Sequence, residues 1–189
     1  MDCIKIINLN DSLLLKQIEI SDAKDLFETV NSQRIYLRKW LPFIDLIKGI
    51  KDEEDFINSI NSVSNDNREF VFVIHYNHKF AGLIGFKSTD KINKKTEIGY
   101  WLSEPYQKKG IITESVKALI DFAFNELGLN RIQIKCAVGN TPSSKIPKRL
   151  KFQFEGIERE GEFSSCGIFI DVEVYSLLKR EYPNSISEL

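Results

Sequence analysis

The chain has 189 residues, 42% of them hydrophobic and 28% charged, the balance of a soluble globular protein long enough to bury a substantial core. Its formal charge of −1 gives no electrostatic reason to expect nucleic acid or an acidic membrane surface as a partner. Cys3, Cys136 and Cys166 are widely spaced, with no C-x-x-C pair and no Cys/His cluster, which argues against a disulfide framework or a metal site and for a reducing, cytoplasmic compartment.

Residues 1–10 include Asp2 and Lys5 and lack the apolar core of a signal peptide, and no run reaches the ~18 apolar residues of a spanning helix. Residues 12–18 read as a first strand. Asp22 is placed to cap a helix through residue 31, with Ala23, Leu26, Phe27 and Val30 as its apolar stripe. Trp40, Leu41 and Phe43 surround Pro42 in a second, broken helical segment. Asp52 begins a third helix, with Phe56, Ile57 and Ile60 at helical spacing. The pattern then changes to strands at 70–74 and 80–86, joined as a hairpin across Tyr76-Asn77-His78-Lys79. His75 and His78 flank that turn and read as exposed. A basic connection at 91–95 leads into a strand at 96–102.

Helix 113–127 places Ile112, Val116, Leu119, Ile120, Ala123 and Leu127 on one broad face, and Gly128 is a plausible stop. Residues 131–138 alternate as the next strand. A short helix around 143–150 and strands near 153–160 and 168–177 complete the chain. A strand–loop–helix–strand crossover makes 96–102 and 131–138 parallel, with the helix packed across the sheet. With no repeat and no linker, the expectation is one α/β domain over 1–189 with a mixed sheet.

The segment Tyr106-Gln107-Lys108-Lys109-Gly110-Ile111-Ile112-Thr113-Glu114 carries the chemistry. A basic, glycine-containing turn that opens a helix offers unpartnered backbone N–H groups and a favourable dipole to a phosphorylated ligand. Gly110 is free to adopt a positive φ. The spacing matches neither the dinucleotide fingerprint nor the ATP-type phosphate loop. The pattern Gln-x-x-Gly-x-small, here Gln107, Gly110 and Ile112, resembles the acyl-CoA pyrophosphate loop of the GNAT N-acetyltransferases. Further segments are similar to that family: Glu97-Ile98-Gly99-Tyr100-Trp101-Leu102, Asn130-Arg131-Ile132, the Asn-x-x-Ser segment from Asn140 to Phe152, and the closing strands at 154–157 and 171–177. The Gly-Tyr-Trp-Leu strand and Trp40-Leu41-Pro42 resemble the subgroup that acetylates ribosomal-protein N-termini. Two positions depart from the pattern. Ile112 is bulky where a small residue is usual, unless its side chain turns into the core. Lys151 stands where glycine is usual, which argues against a positive φ there.

The resemblance implies a GNAT fold: a mixed, mostly antiparallel sheet splayed between two parallel central strands and flanked by helices. It implies an N-acetyltransferase that uses acetyl-CoA as cosubstrate, without metal, and acts by direct attack of a primary amine in a ternary complex. The acceptor implied is the N-terminal α-amino group of a ribosomal or other protein. A polyamine or other small amine is the enzymatic alternative, and a non-catalytic acyl-CoA-binding regulator the alternative of another class. No oligomer seam is legible, and a homodimer stays open.

The resemblance also distributes roles. Tyr100, Trp101, Leu102 and Ser103 would lie along the pantetheine arm through their backbone, while the two ring side chains fill opposite faces of the sheet. Gln107, Lys108, Lys109, Gly110, Ile111, Ile112 and Thr113 would cradle the pyrophosphate, with Thr113 equally readable as the helix cap. Lys145 and Arg149, with Lys148 and Lys151, would meet the 3′-phosphate or simply form a solvated helix face. Asn140 would contact the pantetheine or nearby backbone. Ser143 would pass a proton to the departing sulfur through water, or cap the helix. Glu97 is the candidate general base, with an ion pair to Arg131 or a lysine as its ordinary role. Cys136 reads as core packing.

Overall fold

Alternating apolar residues at the start of the chain form two strands where one was expected. In the computed structural model, which describes residues 4–62 and 70–182, these are β1 (Ile6–Asn10) and β2 (Leu13–Gln17). Asn10 closes the turn between them, its Oδ1 accepting from the N–H groups of Ser12 and Leu13. Cys3 lies outside the described residues.

Three helices follow: α1 (Ala23–Ser32), α2 (Arg34–Leu37) and α3 (Ile50–Asn61), with a 3-10 turn at Pro42–Leu46. Asp22 does not cap α1 as expected. Its carboxylate turns back to the Glu19 N–H and the Lys16 ammonium, because an ion pair on a half-buried cation is the stronger attraction. Asp52 sits inside α3 and accepts from the N–H groups of Lys48 and Gly49, so it caps from the third helical position.

Strands β3 (Val71–Tyr76) and β4 (Lys79–Asp90) form the expected hairpin. Asn77 and His78 both have positive φ, 48° and 60°, as a two-residue turn matched to strand twist requires. His78 is exposed, but His75 is half-buried, with a buried Nε2 that lacks a hydrogen-bond partner among the described residues. The strand carries it inward, and burial pushes its imidazole below the usual range.

β5 (Lys95–Leu102) returns antiparallel to β4. Helix α4 (Ile111–Asp121) then crosses to β6 (Arg131–Ala137), α5 (Thr141–Arg149) follows, and β7 (Gln153–Phe163) and β8 (Phe169–Leu178) close the chain. Among the described residues eight strands form one sheet in the order β1-β2-β3-β4-β5-β6-β8-β7, antiparallel except at β5–β6. Strand periodicity of two sends Phe72 and Ile74 to a core under α4 and Val73 to a second core under α1 and α3. The expected helix 113–127 starts earlier and leaves α geometry at Phe122, ending in a π turn through Glu126.

Lys151 corrects the expectation drawn from its missing glycine, since its φ is +60°. The Phe152 N–H bonds the Pro147 carbonyl at 2.9 Å and the Lys151 N–H bonds the Lys148 carbonyl at 3.3 Å. That bond pair terminates α5 only if the residue after the cap is left-handed. The two hydrogen bonds hold a lysine where glycine would be less strained.

Candidate active site

β5 pairs with β4 as far as Gly82–Leu102, whereas its parallel pairing with β6 covers only Lys95–Glu97 against Arg131–Gln133. β6 keeps β8 as its neighbour through Ala137. The two central strands therefore part at Ile98 and Ile134. Beyond that point the β5 edge that faces β6 presents backbone N–H and C=O groups with no strand of the described residues beside them, ready to pair with an extended ligand.

The outer end of this split is the loop that follows β5. Lys108 and Gly110 both have positive φ, 61° and 77°, and Gly110 is the residue on which α4 starts. The first bond of the helix is Glu114 N–H to the Gly110 carbonyl, so the N–H groups of Ile111, Ile112 and Thr113 have no partner within the helix. Ile111 and Ile112 are buried in the core under α4. The bulk of Ile112 is thus turned inward, leaving the outer side of the loop to backbone. Thr113 is not the cap. It lies at the third helical position, and its hydroxyl accepts from the Arg149 guanidinium at 2.9 Å, which brings the end of α5 beside the start of α4. Lys108 and Lys109 are exposed, and the Lys109 ammonium stands 5.3 and 5.5 Å from the rings of Tyr76 and Tyr106. Lys145 is exposed on α5, while Lys148 leans toward Glu173 and the Tyr175 ring.

At the inner end, Glu97 sits where the strands part. It is buried, with the Lys87 ammonium at 2.7 Å and the Gln133 amide at 3.5 Å. The ion pair expected for it forms with Lys87, not with Arg131, whose guanidinium pairs with Glu155 instead. Ile98, Tyr100 and Leu102 face the α4 core and Trp101 the opposite one, where it meets Phe80. Alternation places Glu97 on the Trp101 face.

Tyr100 and Ser143 meet on the α4 side. The Tyr100 phenol donates to the Ser143 carbonyl at 3.1 Å, and the Ser143 hydroxyl lies 3.3 Å from both Tyr100 Oη and Cys136 Sγ. Ser143 is not the helix cap. Asn140 takes that position and accepts the Ser143 N–H through its side chain. Cys136 is buried, and burial pushes its thiol up to about 11, too high for a resting nucleophile. The structure thus joins Tyr100, Ser143 and Asn140 at one level of the split, and Gln107 to Thr113 with Arg149 at its outer end. Glu97 stands apart from Ser143 on the other face.

Several neighbours of the split carried no signal in the sequence. The Gln33 amide donates to Ser103 Oγ at 2.7 Å and accepts from the Glu104 N–H at 2.8 Å. Tyr36 donates to the Leu102 carbonyl at 3.3 Å and accepts from the Gln107 amide. The start of α2 therefore clamps the turn between β5 and the phosphate-type loop. On the same side the Ser165 hydroxyl, between β7 and β8, donates to the Arg38 carbonyl at 2.7 Å. Among the described residues there is no group of His, Cys, Asp and Glu fit to hold a metal, and no helix long and apolar enough to cross a membrane.

Residues 12–153 match the acetyltransferase (GNAT) domain family. A Bacillus subtilis (strain 168) protein provisionally named a ribosomal N-acetyltransferase, YdaF, is 35% identical over 175 residues, 92% of this chain and 95% of its own. The ribosomal-protein-serine acetyltransferase of Escherichia coli (strain K12) is 28% identical, over 90% and 94% of the two chains. Among solved structures, the ribosomal L7/L12 alpha-N-protein acetyltransferase RimL in complex with coenzyme A superposes with a TM-score of 0.87, at 25% identity, over 92% of this chain and 98% of that one.

Proposed function

The chain belongs to the acetyltransferase (GNAT) domain family, and from that premise we propose that it transfers the acetyl group of acetyl-CoA to the α-amino group at a protein N-terminus. The observation that carries the reading is the open edge of β5 beyond Glu97, which ends in a left-handed loop and the unpartnered start of α4. Acetyl-CoA supplies the activated acetyl thioester. The residues present fit it: an unpaired strand edge suits an extended amide-bearing arm, and three N–H groups without an intrahelical partner at a helix N-terminus suit a pyrophosphate.

In this reading Tyr100, Trp101 and Leu102 offer their backbone to the arm. Gln107, Lys108, Lys109 and Gly110, with the N–H groups of Ile111, Ile112 and Thr113, receive the pyrophosphate. Arg149, tied to Thr113, and Lys145 supply positive charge for the 3′-phosphate, and Asn140 fixes the start of α5. An arm anchored at the loop and paired along β5 ends toward Ile98, at the level of Ser143 and Glu97. Helices α4 and α5 close one face of the split, so the acceptor enters from the α1–α3 face, beside the Arg38–Ser165 contact. As the amine nitrogen bonds the acetyl carbon and the carbon–sulfur bond breaks, Glu97 accepts the amine proton, directly or through water. Ser143 delivers a proton to the departing sulfur, also through water. One proton is lost and one gained, so nothing else is consumed.

The relatives named for ribosomal-protein acetylation support the α-amino acceptor, since the alignments with them span nine-tenths or more of this chain. The test is release of the CoA thiol from acetyl-CoA over a panel of N-terminal peptides, spermidine and aminoglycosides. Turnover is expected with peptides bearing a free α-amine and is abolished by blocking that amine. Turnover with polyamine alone would move the acceptor assignment. Binding of CoA without thiol release from any amine would leave a regulator in place of an enzyme.

A further inference from the structure

Helix α5 contains Pro147, and proline has no N–H to give to the carbonyl four residues earlier. That carbonyl belongs to Ser143. Tyr100 supplies the missing donor from outside the helix, its phenol lying 3.1 Å from the Ser143 carbonyl oxygen. The same phenol oxygen accepts from the Ser143 hydroxyl at 3.3 Å. One side chain on the open strand thus holds both the backbone and the side chain of one serine, with Cys136 Sγ on the serine's remaining side at 3.3 Å.

We propose that Tyr100 is a positioning residue for Ser143, standing in for the helix N–H that Pro147 lacks and so fixing the Ser143 hydroxyl at the open edge of β5. The proposal rests on the acetyltransferase reading for its catalytic consequence, but its structural half does not. A phenol largely removed from water is costly unless hydrogen-bonded, and the oxygen of Tyr100 finds its bonds on this serine. A phenylalanine would fill the same space and leave the Ser143 carbonyl without a donor. Burial holds the phenol above its ordinary range, so it remains a donor at every pH at which the enzyme works. When the sulfur departs, the Ser143 hydrogen turns from Tyr100 toward the outgoing charge, while the phenol's bond to the carbonyl keeps the serine in place. No bond to Tyr100 other than hydrogen bonds forms or breaks.

The experiment compares Tyr100→Phe, Ser143→Ala and their double variant, each made both with Pro147 retained and with Pro147→Ala, by steady-state kinetics, CoA calorimetry and thermal melts. Tyr100→Phe is expected to lower kcat about tenfold or more, because small displacements of a positioned group are costly. The Kd for CoA should stay within about twofold, since the backbone edge is unchanged. The double variant should be no slower than Ser143→Ala alone, as residues acting through one another are not additive. In the apo protein, the melting-temperature loss caused by Tyr100→Phe should shrink when Pro147→Ala restores an N–H to the Ser143 carbonyl. Multiplicative losses in kcat, or an equal melting-temperature loss in both backgrounds, would overturn the proposal. Absence of thiol release from the parent enzyme would instead overturn the acetyltransferase reading, and the melts would still decide whether Tyr100 replaces the missing N–H.

Discussion

Glu53 on α3 is 4% exposed, and its Oε1 has no hydrogen-bond partner among the described residues. Burial, with the neighbouring Asp52 charge, pushes its carboxyl from the ordinary 4.5 up to about 7 against the opposing pull of Arg34. Between those two values the folded chain keeps a proton that the unfolded chain has released, so stability falls as pH rises through this window. Glu53→Gln is therefore expected to raise the melting temperature at about pH 8, above the window, and to change it little below 4.5. Melts of both proteins across that range check this; a difference independent of pH would contradict it. Glu97 makes a second residue-scale claim. If it accepts the amine proton, Glu97→Gln keeps CoA binding but lowers kcat/KM by ~10²–10⁴-fold at neutral pH, with recovery toward high pH where more amine is already neutral. A lower melting temperature with an unaltered pH profile would reduce Glu97 to its Lys87 ion pair. The sequence made Glu97 visible as a carboxylate in an apolar strand but could not choose its partner, because Lys87 and Arg131 are both cations within reach of a sheet neighbour. Lys151 shows the converse: helix-terminal hydrogen bonds impose a positive φ that residue identity argues against.

At the scale of elements, the strand–loop–helix unit from Lys95 to Asp121 was the most legible part of the chain. A strand period, a glycine and a helical apolar face follow one another there within a short stretch. Gly110 needs its freedom, since its φ is +77°, and a Cβ there would meet nothing within 4 Å. Gly110→Ala therefore acts through backbone strain alone, about 1–2 kcal/mol, and relief of that strain would move the loop. Calorimetry is expected to find CoA binding weakened by roughly five- to thirtyfold with α4 intact. Unchanged affinity would separate the loop from the pyrophosphate. The clamp by Gln33 and Tyr36 was not legible, because a side chain that reaches a loop some 70 positions away leaves no local period. The first strand escaped for another reason. Its exposed and half-buried alternation from Ile6 to Asn10 belongs to a sheet edge, where little apolar surface is removed from water.

For the molecule as a whole, one geometric fact organises the rest: the central strands β5 and β6 diverge after three paired residues, while β5 stays paired with β4 as far as Leu102 and β6 with β8 as far as Ala137. The crossover rule made those strands parallel in the sequence reading. The three-residue length of their pairing has no counterpart in the local sequence pattern, because both strands keep their period of two beyond the point where they part. Hydrogen exchange of backbone amides, with and without acetyl-CoA, measures the use of this gap directly. Added acetyl-CoA is expected to slow exchange along 98–102 and at 107–113 together, leaving β1 to β3 unchanged. Protection absent from both segments at a saturating concentration, or confined to a different part of the sheet, would contradict the account.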